Sequence, residues 1–173
     1  LANGRWFSRR TFLPAFKIDR TEVSNAAYAR FAAMASVTGF AMPIYPTNRE
    51  LEAAGRGDFP VSGISWHEAS AYCRWLGKSL PSSQEWQKAS RGGIVLRDGA
   101  PNLHPRRNAP WWPPKDVSKA NINAGGVTGP TSIRETERDV GPYDVIGQAG
   151  NVQEWTNSSR TATDAIARGG DWQ

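Results

Sequence analysis

Ser65-Trp66-His67-Glu68-Ala69-Ser70-Ala71-Tyr72-Cys73-Arg74-Trp75-Leu76-Gly77, followed by Leu80-Pro81-Ser82-Ser83-Gln84-Glu85-Trp86, carries the strongest local signal in the chain. A serine with a glutamate three residues later is the capping-box spacing. The hydroxyl takes a backbone N–H of the first helical turn, and the glutamate reaches back to the N–H of the serine. The spacing occurs at Ser65/Glu68 and again at Ser82/Glu85. The first box predicts a helix whose Ala69, Tyr72, Cys73 and Leu76 form one apolar stripe before Gly77. The second predicts a shorter helix over residues 83–90, with Trp86 and Ala89 three apart and Gly92-Gly93 as its stop. On this reading Cys73 is a core residue, with a thiol that burial raises in pKa and leaves inert.

Working outward, Ser24-Asn25 caps a further helix on which Tyr28, Phe31, Ala32 and Ala35 share a face, with Gly39 just past its end. Before it, Phe16, Ile18, Thr21 and Val23 alternate in a short, broken period of two, which predicts a strand turning near Asp19-Arg20. Between and beyond these elements, breakers dominate. Residues 40–63 include Pro43, Pro46, Gly55, Gly57, Pro60 and Gly63, and residues 94–142 include Pro101, Pro105, Pro110, Pro113, Pro114 and Pro130. A loop of the second length inside one domain needs a reason, such as an internal metal or a functional surface. Residues 145–173 mix Gly, Trp and polar side chains, and the chain has no internal repeat.

Composition sets the outer limits. In 173 residues there are 17 Gly and 12 Pro beside 8 Trp, 4 Tyr and 6 Phe, which fits one loop-rich globular domain and excludes fibrous and fully disordered classes. No apolar run approaches a membrane span, and the N-terminus has no signal-peptide pattern, so no membrane partner is expected. The net charge is +5, but the basic residues are scattered, with only Arg9-Arg10 and Arg106-Arg107 adjacent. Phosphate tracking needs a concentrated basic surface, so no nucleic-acid partner is expected. A single cysteine excludes an internal disulfide and a Cys-rich zinc site, and leaves the compartment open. His67 and His104 have no ligand partner at helical spacing. Oligomeric state is equally open.

Six blocks, in order, resemble the formylglycine-generating enzyme (sulfatase-modifying factor) family. They are Ile18-Asp19-Arg20-Thr21-Glu22-Val23-Ser24-Asn25; Pro60-Val61 through Ile64-Ser65-Trp66; Ala69 through Tyr72-Cys73-Arg74-Trp75-Leu76-Gly77-Lys78; Leu80-Pro81 through Glu85-Trp86 with Arg91-Gly92-Gly93; Ala149-Gly150-Asn151-Val152-Gln153-Glu154-Trp155-Thr156; and Arg168-Gly169-Gly170-Asp171-Trp172. The resemblance implies an α+β, C-type-lectin-like fold with two or three short helices, short twisted strands and much irregular backbone. It also implies that residues 1–173 form one domain, incomplete at both ends.

The same resemblance implies structural calcium. One site draws on the Glu154 carboxylate with the carbonyls of Gly150 and Val152. Three residues before Gly150, where the family carries Asp or Asn, stands Gly147, with Asp144 the nearby substitute. A second site matches Asn121 and Ile122, completed by an acid within residues 128–139. Calcium suits such loops because it collects six to eight oxygens, many of them backbone carbonyls. Glu154 also reads as a buried acid paired with a donor, and Asn121 as a loop side chain bonding its own backbone.

A ligand cleft is implied around Trp155, Gln153, Asp171 and Trp172, with a peptide or other protein as partner. Gln153 departs from the tryptophan the family commonly has there. The family oxidises a substrate cysteine with copper held by two thiolates. This chain has one thiol, so no copper is expected within these residues, and the oxidase activity requires a cysteine pair beyond residue 173. No catalytic residue is assigned. The alternative is a non-catalytic display or sensor module of the same fold, such as a retroelement-diversified variable protein or a regulatory domain.

Overall fold

The computed structural model describes residues 11–37, 55–103, 110, 117–122, 129–134, 139–159 and 164–171. Three α-helices lie in these segments: α1 (Asn25–Val37), α2 (Trp66–Trp75) and α3 (Ser83–Arg91). A 3-10 turn covers Val117–Lys119, and β1 (Glu154–Ser159) and β2 (Ala165–Arg168) form one antiparallel sheet. Trp155 faces Ala167 across the sheet, and the register slips between Trp155 and Ser159. No helix among the described residues is long and apolar enough to cross a membrane.

Both capping boxes form. Glu68 Oε2 accepts the Ser65 N–H at 2.6 Å, Glu85 Oε2 accepts the Ser82 N–H at 2.7 Å, and each serine hydroxyl accepts the N–H of its glutamate. Helix α2 stops as the left-handed Gly77 (φ 69°) directs its N–H to the Arg74 carbonyl, and α3 stops at Gly92 (φ 80°). Ser24 caps α1, its hydroxyl accepting the Ala27 N–H.

Helices α1 and α2 face each other through an aromatic cluster. Tyr28, Phe31, Val61 and Tyr72 are buried, with Val23, Ile64 and Cys73 packed against them. The Phe31 and Tyr72 rings meet edge to face, with centroids 5.6 Å apart. The predicted stripe ends one turn early. Leu76 is 41% exposed, and Trp75 is 46% exposed while its ring still meets that of Phe31 at a tilt. Leu76 sits at the C-cap, where the chain is already turning away from the core. Cys73 is only half-buried, and burial pushes its thiol up in pKa. The Ala35 side chain and Gly39 lie outside the described residues.

The strand predicted over residues 16–23 is absent as a ladder. Its backbone is held at separate points: Arg20 O accepts from Ile146 N, Val23 O accepts from Val61 N, and Ser24 forms an isolated bridge with Pro60. Alternation specifies a pleated surface, but a strand also needs a neighbour to pair with.

Three indoles tie β1 to the rest of the molecule. Trp66 Nε1 donates to Thr156 O, Trp86 Nε1 to Glu154 Oε2 and Trp155 Nε1 to Ile64 O, at 2.9 to 3.0 Å. The α3 entry adds the Asn157 N–H to Pro81 O at 2.7 Å and the Ser83 N–H to Ser158 Oγ at 2.8 Å. Thr156, fully buried between them, donates to Ile166 O.

Candidate functional site

The approach to β1 is a backbone crossing too tight for side chains. A Cβ on Gly150 would lie 2.6 Å from Asn121 O and 2.8 Å from Asn121 N, and one on Gly170 would lie 2.7 Å from Ala149 O. Asn151, in the left-handed region at φ 69°, donates its backbone N–H to Asn121 O. The two segments assigned to separate calcium sites are thus in direct contact.

Around this crossing lies a buried polar cluster. Glu22 Oε2 accepts from Asn151 Nδ2 at 2.7 Å and Glu22 Oε1 from the Val152 N–H at 3.2 Å. Asp139 Oδ2 accepts the N–H groups of Ala149 and Gly150. Asn121 Nδ2 donates to Gly129 O and to Asn151 Oδ1. Burial pushes the Glu22 carboxyl up to about 8, and the Glu154 charge adds to the rise, against the lowering bonds from Asn151 and Val152. Burial likewise takes Glu154 up to about 7, opposed by the Trp86 indole, and Asp139 up to about 6, opposed by its two backbone donors. In all three, burial outweighs the hydrogen bonds that favour the charged form.

The expected ligand residues fare unequally. Glu154 already has an indole donor. Gly147 faces Glu22 instead of supplying a ligand, since a Cβ there would lie 3.1 Å from Glu22 Oε2. Asp144 is exposed, and its backbone carbonyl accepts from Arg20 Nε. Among the described residues no three His, Cys, Asp or Glu side chains stand close enough to share a metal ion. The Asn121 side is better provided. Asn121 Oδ1 and Asp139 Oδ1 are buried with no hydrogen-bond partner among the described residues, and both residues line a small cavity of about 20 Å³. Ile122 lies beside Gly170. Glu22 is the member to which the sequence assigned no role, while Asp139 is the last residue of the segment expected to supply an acid.

The cleft residues come together. Gln153, Trp155 and Asp171 line one open cavity of about 710 Å³, whose lining also includes residues 16–19 and Leu80-Pro81. Trp172 lies outside the described residues. The Lys78–Asp19 ion pair, at 2.8 Å, joins two of the walls. His67 is exposed, and its ring meets Trp66 edge-on; His104 lies outside the described residues.

Three short helices, a small antiparallel sheet and a buried acid–amide crossing define a mixed, loop-built domain. Residues 7–173 match the sulfatase-modifying factor enzyme 1-like domain, and the chain belongs to that family. It is 37% identical to the bovine (Bos taurus) "Inactive C-alpha-formylglycine-generating enzyme 2" over 66% of this chain and 39% of that protein. It is 29% identical to the bovine "Formylglycine-generating enzyme" over 87% of this chain and 50% of that protein. The chain therefore spans half or less of these relatives. The crystal structure of CarF superposes with a TM-score of 0.63 at 20% identity, covering 88% of this chain and 74% of that one, which is a likeness of fold.

Proposed function

We propose that residues 1–173 act as a ligand-binding domain of the formylglycine-generating type and contain no oxidation centre of their own. The observation that carries this reading is the cavity of about 710 Å³ that gathers Gln153, Trp155 and Asp171. Its size suits a small ligand or a few residues of peptide, and its lining mixes apolar side chains with polar and charged ones such as Lys17, Glu85 and Asp171. Copper-dependent cysteine oxidation needs two thiolates for soft Cu(I). The chain offers one thiol, half-buried and with its pKa raised, so that chemistry requires cysteines from outside these residues. The bovine relative named as inactive supports a non-catalytic member within the same family. The C-type-lectin-like topology belongs to this reading too, supported by the short helices, the small sheet and the abundant irregular backbone.

Calcium is the structural cofactor we infer. Asn121, with Asp139, is favoured over Glu154, because each presents a buried Oδ1 with no donor among the described residues, and the two residues line the same small cavity. A divalent ion bound there would pin the crossing of residues 121 and 150 with oxygen ligands, the coordination calcium prefers.

An anaerobic Cu(I) titration against a chromophoric competitor tests the first part: no tight site is expected, and a stoichiometric tight complex would defeat the reading. Ligand-observed NMR with a mixture of small aromatic and peptide fragments tests the cleft. Signals should weaken for Trp155→Ala and for the surface variant Gln153→Ala; fragments that bind all three proteins equally are not in this cavity.

A further inference from the structure

We draw no further inference here: the strongest candidate, the open cavity between residues 16–19 and the Leu80-Pro81 wall, belongs to the site already described, and nothing in the structure shows what covers it.

Discussion

Gly150 concentrates the demand that the fold places on a single position. Its α-carbon lies against the backbone of Asn121, and backbone cannot swing aside as a side chain can. Gly150→Ala is therefore expected to destabilise by about 3 kcal/mol, the upper part of the overpacking range. A urea unfolding midpoint equal to that of the parent would show that the crossing is looser than described. Glu22 governs pH behaviour. Its folded value near 8 lies above its ordinary 4.5, so the folded state holds this proton more tightly than the unfolded chain does. The contribution is full below about pH 4.5 and is lost as pH rises through about 8, and Glu154 and Asp139 act in the same sense at lower pH. In calcium-free buffer the urea midpoint should fall between about pH 5 and about pH 8.5, and Glu22→Gln should flatten part of that slope. A midpoint that climbs with pH would contradict the assignment. Glu22 could not be given a role from sequence, and Asp139 entered only as one acid within the segment 128–139. The contacts of Glu22 lie 129 and 130 residues away, and no local spacing encodes such a pairing.

Among the elements, legibility follows the range of the interactions. The capping boxes could be read directly because donor and acceptor are three residues apart and close in any helix that starts there. The starts of α2 and α3 follow from Ser65 and Ser82, and the end of α3 falls within one residue of the predicted stop. The segment over residues 16–23 could not be read in the same way, since its alternation fixes which side chains share a face and says nothing about a partner. Leu76 was misjudged for a related reason: periodicity continues the helix by one position, while Gly77 has already turned the chain. Removing a cap should act locally. Ser82→Ala is expected to cost about 1 kcal/mol, and Ser65→Ala about as much, measured by chemical denaturation. Because the entry of α3 holds β1 through Pro81 and Ser83, and the entry of α2 holds it through Ile64 and Trp66, both cap variants should in addition raise amide exchange in β1.

At the scale of the molecule, loops as well as helices carry the long-range contacts among the described residues. Among the described residues, the polar crossing joins residues 22, 121, 139 and 151 from segments outside the three helices and the two-stranded sheet. If calcium binds at Asn121, it stabilises by RT ln(1 + [Ca²⁺]/Kd), so the melting temperature should climb with calcium and drop back with EGTA. Because the bound carboxylate must be ionised, the gain should be larger at pH 8 than at about pH 6. Asn121→Ala should abolish the calcium dependence. A melting temperature indifferent to calcium at both pH values would retire the cation and leave the small cavity to water. The family could be recognised from motif order, whereas the convergence of the two supposed metal segments on one crossing appears only in three dimensions.

The grip of Trp66, Trp86 and Trp155 on β1 has a practical corollary. Each of these chromophores borders the same ribbon, so detaching it would wet several at once and shift ultraviolet emission toward longer wavelengths. The polypeptide carries its own optical gauge of whether that ribbon is seated, without any added label.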